Sequence, residues 1–295
     1  MFKMKGVVPP MITPFDQYGE VDFKSLDVLL DFLSENVDGV FITGSYGCGA
    51  LMSVDERKKF TEAVVNRVKG KIDVVVMTGT TNNRDTVELT KHAEKTGADA
   101  VSAVGPYYFH HNADSVCNFY QDMVKAVSDD FRVYVYNNPK FQGYPMDIKL
   151  LKKLKDLGVK GIKDATFDIL LHANYCRLLK DESFDIALGT EAMWLPARSL
   201  GCEAFIPGLA NAFPEICRKM YKEGMENDME ACRETQFKVN KLRDVMYLAK
   251  STQLAVYAFL EIKGIIKAYP RAPFIPASEA EINNIKEALV EMGMI

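Results

Sequence analysis

RVYVYNNPKFQGYPMDIKLLKKLKDLGVKGIKD, residues 132–164, reads as one strand–helix–strand unit. Arg132-Val133-Tyr134-Val135-Tyr136-Asn137 is a short run of β-branched and aromatic residues, and Asp147 stands where a helix N-cap belongs. An amphipathic stretch follows, and Val159-Lys160-Gly161-Ile162-Lys163-Asp164 forms the next strand. Consecutive parallel strands need such a crossover, so Tyr136 and Lys163 are expected to meet at neighbouring strand ends.

The same alternation runs outward in both directions. Strands are expected over 6–13, 39–44, 72–79, 99–105, 132–137, 159–164, 185–190 and 203–208, each followed by a helix-like stretch. Eight such units, whose strands end in Gly, Asn, Asp or Thr, predict a (β/α)8 barrel of the α/β class rather than an open doubly wound sheet. Ser53-Val54-Asp55-Glu56 is a capping box for a helix over 54–68, and Ser278 is a further N-cap. Past Ala210-Asn211-Ala212-Phe213-Pro214 only helical periodicity remains, including stretches over 228–250 and 254–268. Residues 1–211 are therefore expected to supply the barrel strands and their helices. Residues 212–295 are expected to complete the barrel and add a C-terminal helical extension, without a linker between the two parts.

With 48% hydrophobic and 26% charged residues in 295, the chain can bury a large core. Its net charge of −4, without a long basic run, argues against nucleic acid as a partner. Pro9 and Pro10 arrive before any apolar stretch of signal-peptide length, and no segment approaches the ~20 apolar residues of a membrane span. A cytoplasmic protein without a membrane partner is expected. Cys48, Cys117, Cys176, Cys202, Cys217 and Cys232 lie far apart and read as reduced thiols. His110 and His111 have no ligand partner at metal-site spacing, so no metal is expected.

In a βα barrel the chemistry sits at the C-terminal strand ends. Alternation places Val159, Gly161 and Lys163 on one face, with room beside the lysine at Gly161 and Lys160 on the other face. If that face points inward, desolvation lowers the lysine pKa and supplies a neutral amine for a Schiff base. The other reading is a lysine that snorkels to solvent. Tyr136 is either a proton relay for that amine or a buried tyrosine with a satisfied hydroxyl. Thr43-Gly44-Ser45-Tyr46-Gly47-Cys48-Gly49 lacks the dinucleotide fingerprint and the serine-hydrolase elbow. It suits a small carboxylate bound by backbone N–H groups, or is an ordinary turn that needs glycine.

Together these residues resemble the dihydrodipicolinate synthase/N-acetylneuraminate lyase family of Schiff-base class I aldolases. The points of resemblance are Gly44-Ser45-Tyr46-Gly47, Gly105-Pro106-Tyr107-Tyr108, Tyr136-Asn137-Asn138-Pro139 and Gly161-Ile162-Lys163-Asp164, in family order over essentially the whole chain. The resemblance implies an imine between Lys163 and pyruvate or another 2-keto acid, with an aldehyde as second partner and no cofactor. It implies that Tyr136 shuttles protons, that Ser45 hydrogen-bonds Tyr136 and that the relay continues to Tyr108, which comes from a neighbouring subunit in tetrameric relatives. Gly44, Tyr46 and Gly47 would shape the pyruvate-carboxylate loop, with the N–H groups of Ser45 and Tyr46 as donors. A homo-oligomer, tetramer or dimer, is implied.

The departures from the family pattern narrow the substrate. Tyr46-Gly47-Cys48 replaces a second hydroxyl residue and Gly-Glu. Tyr46, with Asn138 before Pro139, resembles the hydratase-aldolase branch that acts on aromatic pyruvylidene compounds. Dihydrodipicolinate synthases carry arginine two places after the proline, where this chain has Phe141 preceded by Lys140. Thr190 and Glu191 after strand 7, and Ile206 after strand 8, stand where sialic-acid lyases read sugar hydroxyls, but the complete sialic-acid set is missing. The expectation is an aldolase of a 2-keto-3-deoxy sugar acid or related compound. The alternatives are dihydrodipicolinate synthase, an aromatic hydratase-aldolase, and a keto-acid-binding barrel without catalysis.

Overall fold

The computed structural model describes residues 2–295. Its strands are β1 (Gly6–Val7), β2 (Gly39–Ile42), β3 (Asp73–Met77), β4 (Ala100–Val104), β5 (Arg132–Asn137), β6 (Gly161–Asp164), β7 (Asp185–Leu188) and β8 (Ala204–Phe205). All pair in parallel, each of β2 to β7 with the next in sequence and β8 with β1. Between β1 and β2 the ring is drawn together by Phe41, whose N–H donates to Pro9 (2.9 Å) and whose carbonyl accepts from Met11 (3.0 Å). The fold is the expected TIM barrel.

Seven of the eight strands are shorter than expected, and the first and eighth lose most of their length. The first, expected over 6–13, ends at Val7, because Pro9 and Pro10 have no N–H to give the ladder. The eighth, expected over 203–208, ends at Phe205 and gives way past Pro207 to a tight turn, Gly208–Asn211. Asn211 ties that turn to the segment that follows β1 by accepting from Ile12 N–H (3.1 Å) and donating to Pro10 O (3.1 Å).

The expected caps form. Ser53 and Glu56 make the capping box of the helix Val54–Val68, Asp147 caps Ile148–Asp156, and Ser278 caps Glu279–Glu291. Beyond the barrel strands run the helices Pro214–Met225, Met229–Met246, Thr252–Ile262 and Glu279–Glu291. The helix expected over 254–268 stops early, and Gly264 adopts φ +67° just beyond it.

The barrel lumen is packed in its lower half and open above. Val8, Val75, Ala100, Ala187 and Ala204 fill the base around the ring of Tyr134. Tyr134 occupies the space that Gly161 leaves: a Cβ at Gly161 would sit 2.5 Å from that ring and 2.6 Å from Asp185 O. The glycine therefore makes room for tyrosine and not, as its position suggested, for the lysine. The Tyr134 hydroxyl donates to Asp185 (2.5 Å), which also accepts from Arg132 (3.4 Å) and the Met4 N–H (3.2 Å). These contacts seal the base. Among the described residues no helix is long and apolar enough to cross a membrane, and no three His, Cys, Asp or Glu side chains are placed to hold a metal ion. All six cysteines are free thiols.

Candidate active site

The pairing of β5 with β6 sets Tyr136 directly opposite Lys163. Both side chains point into the lumen, and Lys163 is only 3% exposed. Its Nζ lies 3.8 Å from the ring centroid of Phe41 and 4.0 Å from that of Tyr136. Two ring faces favour an ammonium by about 2 kcal/mol each, whereas burying the charge costs several. Burial wins and pulls the Lys163 pKa down from 10.5 to about 7. A large fraction of the amine is neutral at neutral pH and can attack a carbonyl. The rate of imine formation should rise with pH and level off above a midpoint near 7, which stopped-flow measurement at fixed keto-acid concentration would show. A midpoint near 10 would mean a solvated lysine.

The Tyr136 hydroxyl shares a hydrogen bond with Ser45 Oγ and accepts one from Asn138 Nδ2, each at 3.4 Å. Burial raises its pKa, and these two contacts oppose the rise. The phenol therefore holds its proton at neutral pH beside a neutral amine, an arrangement suited to proton transfer. Tyr136→Phe should leave the fold intact and lower turnover by roughly 10². Unchanged turnover in a steady-state assay would remove Tyr136 from the reaction.

The β2 exit loop departs from regular backbone at two non-glycine residues, Thr43 and Cys48, both at φ +53°. Glycine is required at 49, where a Cβ would fall 1.9 Å from Thr43 O. Neither Ser45 N–H nor Tyr46 N–H donates to any group among the described residues, so both stand available to an anion.

Lys163, Tyr136, Ser45, Tyr46, Glu191, Ile206 and Phe141 line one cavity of about 360 Å³. Gly44 faces an adjoining apolar cavity of about 280 Å³, shared with Ser45, Tyr136 and Phe141. Gly47 and Thr190 line neither. Gly47 is packed beneath the loop with its carbonyl bound to Thr13 Oγ1 (2.7 Å), and Thr190 caps the turn at Ala192 (3.2 Å). Tyr108 stands apart: it is 85% exposed, at φ +78°, with its ring edge-on to Phe109. Within one chain the turn carries it away from Ser45, and Tyr107 lines the adjoining cavity instead.

Tyr46 reaches across the barrel mouth. Its ring passes over Gly208, where a Cβ would come 2.5 Å from the hydroxyl, and that hydroxyl donates to Thr252 Oγ1 (3.0 Å). Burial and the negative charge of Glu191 raise the Tyr46 pKa, so the phenol stays protonated. Glu191, 1% exposed, accepts from Gly208 N–H (2.9 Å) and from Arg243 Nη1 (2.5 Å). Its carboxylate is therefore already engaged on both oxygens.

Sequence reasoning missed Arg243, Phe167, Thr252 and Phe41 as site residues. Arg243 comes from the helix Met229–Met246, where nothing marks it off from the other charged positions. Phe41 carried a readable signal, since alternation along β2 puts it on a single face with Gly39.

Residues 3–292 match the Dihydrodipicolinate synthetase family. The chain is 31% identical over 294 residues to a 4-hydroxy-tetrahydrodipicolinate synthase of Methanospirillum hungatei, covering 97% of this chain and 98% of that one. It is also 31% identical over 294 residues to an uncharacterized DapA-like lyase of Thermoplasma acidophilum, covering 98% of each. The crystal structure of dihydrodipicolinate synthase from Aquifex aeolicus superposes with a TM-score of 0.91 at 25% identity, over 99% of this chain and 98% of the other. The chain belongs to the dihydrodipicolinate synthetase family and is a Schiff-base-forming class I aldolase or lyase.

Proposed function

We propose that Lys163 condenses with pyruvate, and that the enzyme makes or cleaves the carbon–carbon bond of a 2-keto-3-deoxy sugar acid or a related 2-keto acid. The observation that carries this reading is the buried Lys163 amine, brought to about pKa 7 beside the protonated Tyr136 at the floor of a cavity. In the synthetic direction neutral Nζ attacks C2 of pyruvate, the carbonyl oxygen leaves as water, and loss of a C3 proton gives the enamine. C3 then adds to the aldehyde carbon, the aldehyde oxygen takes up a proton, and water hydrolyses the new imine to release the product and the lysine. Tyr136 is positioned to move the protons of these steps, and the N–H pair of Ser45 and Tyr46 to hold the pyruvate carboxylate.

The names of several relatives favour a second reading, condensation of pyruvate with aspartate semialdehyde. Phe141 at the place of the synthases' arginine speaks against it, because a bidentate guanidinium contact is lost there. Borohydride trapping with pyruvate, followed by rate measurements with sugar-derived aldehydes and aspartate semialdehyde side by side, tests both. Faster turnover with aspartate semialdehyde overturns the first reading in favour of the second. We read the protein as a cytoplasmic homo-oligomer, tetramer or dimer, in which the exposed Tyr108 of one copy completes the relay beside the Ser45 of another.

A further inference from the structure

We propose that the Tyr46 hydroxyl is a second catalytic acid–base group, which exchanges a proton with the aldehyde oxygen while Tyr136 serves the imine and C3. The inference rests on the pyruvate reading above and deepens it, dividing the proton transfers between two phenols on different walls of one cavity.

The two phenols start close together and end apart. Tyr136 rises from β5 with its ring against Lys163 Nζ, and its hydroxyl is held by Ser45 and Asn138 at the exits of β2 and β5. Tyr46 also starts on the β2 exit loop, but its hydroxyl ends between Gly208, past β8, and Thr252, the first residue of the helix Thr252–Ile262. Both residues line the cavity that holds Lys163. With pyruvate fixed at its carboxylate by the loop N–H pair and at C2 by Lys163, the aldehyde takes the rest of that cavity. Its wall past β7 and β8 carries Gly189, Glu191, Ile206 and Gly208. Glu191 cannot act as the acid there, since both its oxygens already accept hydrogen bonds from Gly208 N–H and Arg243. Tyr247, a further phenol on this cavity, is 60% exposed with its oxygen on Arg243 Nη2 (2.9 Å). Tyr46 is left as the enclosed proton donor on the aldehyde side.

The surroundings of the Tyr46 hydroxyl suit that task. A wall that needed only an aromatic would be served by phenylalanine, which buries no polar group. Gly208 instead leaves a path for the whole phenol: a Cβ there would come 2.6 Å from Cζ as well as meeting the hydroxyl. Thr252 Oγ1 accepts the phenol hydrogen (3.0 Å), and its own hydrogen goes to no group among the described residues. Thr252 can therefore turn and donate to the phenol oxygen once the proton has left. Burial and Glu191 keep the phenol protonated at rest, while the charge of Arg243 opposes them and favours the phenolate. In the synthetic direction enamine C3 forms the carbon–carbon bond, the π pair of the aldehyde C=O moves to oxygen, and the Tyr46 O–H bond breaks to protonate that oxygen. An alkoxide is a much stronger base than a phenolate, so the transfer is downhill. The phenolate regains a proton from solvent at the cavity mouth, which balances the proton lost from C3 when the enamine formed. Cleavage runs the same transfers backwards.

The test separates the two half-reactions in the wild type, Tyr46→Phe and Tyr136→Phe. Loss of the pyruvate methyl signal in D2O, followed by proton NMR without aldehyde, reads imine and enamine formation. Initial rates with glyceraldehyde and with aspartate semialdehyde read condensation. Tyr46→Phe keeps the ring and the backbone N–H, so its exchange rate should stay within about twofold of the wild type, which also reports an intact fold. Its kcat for condensation should fall by about 10². Tyr136→Phe should slow exchange and condensation alike. Exchange lost together with condensation in Tyr46→Phe, condensation unchanged in it, a loss confined to the KM of the aldehyde, or a Tyr136→Phe protein slowed in condensation alone would each overturn the inference. So would a wild type that exchanges C3 hydrogens yet condenses neither aldehyde, for Tyr46 would then have no oxygen to serve. Absence of both exchange and a borohydride-trapped pyruvate adduct in the wild type would overturn the pyruvate reading and this one together, whereas an adduct with unimpaired condensation in Tyr46→Phe removes this one alone.

Discussion

Lys163→Met abolishes the pyruvate adduct trapped by borohydride, read by intact-protein mass, and lowers turnover by about 10³ or more, as expected when a covalent nucleophile is lost. The side chain is nearly conserved in volume, so the barrel folds. The variant should also be more stable than the wild type, with a pH dependence that identifies the cause. Lys163 has a pKa of about 7 when folded and 10.5 as its reference value, so between those values the unfolded chain holds a proton that the folded chain lacks. The lysine therefore weakens the fold as pH falls from 10.5 toward 7, and its cost is constant below that. Methionine removes the cost: the gain should be full below pH 7 and vanish above 10.5, measured by denaturant unfolding across that range. A gain independent of pH would show that the amine is not desolvated, and an adduct that survives in the variant would place the imine elsewhere.

Arg243→Met is the substitution expected to cost the fold most, about 3 kcal/mol, because it strands a buried carboxylate. Glu191 keeps only the Gly208 N–H once its 2.5 Å partner is gone. Arg243 also joins the helix Met229–Met246 to the top of β7, so the variant should loosen the C-terminal helices first, visible as faster hydrogen exchange there. Glu191→Gln alone should cost less, and the double variant should cost less than the two single losses added together, since the stranded charge has then been removed. Strict additivity would show that the pair is not energetically coupled.

The barrel was legible because each strand brings its own β-branched run and each following turn its glycine or cap; β5 occupies the stretch read for it, Arg132–Asn137. Strand ends were less legible at β1 and β8, where proline ends the ladder while the apolar run continues. Lys163 and Tyr136 could be placed together because strand register translates a sequence offset into a spatial neighbour. Arg243 could not, since a helix of charged residues does not say which of them turns under the barrel rim. Nor could the left-handed turn at Phe167, which is set by the buried Asp164–His172 pair eight residues apart and not by local preference.

The sealed base of the barrel governs traffic. Tyr134, Asp185, Arg132 and the backbone of Met4 close the lower end, and the amine of Lys163 lies at the floor of the upper cavity. A well with one mouth admits its occupants in single file: the keto acid must descend before the aldehyde, and the aldehyde, once seated, bars its exit. Arrival and departure then run last in, first out, so the kinetic order of the two partners is written into the stopper at the bottom rather than into any group that touches them.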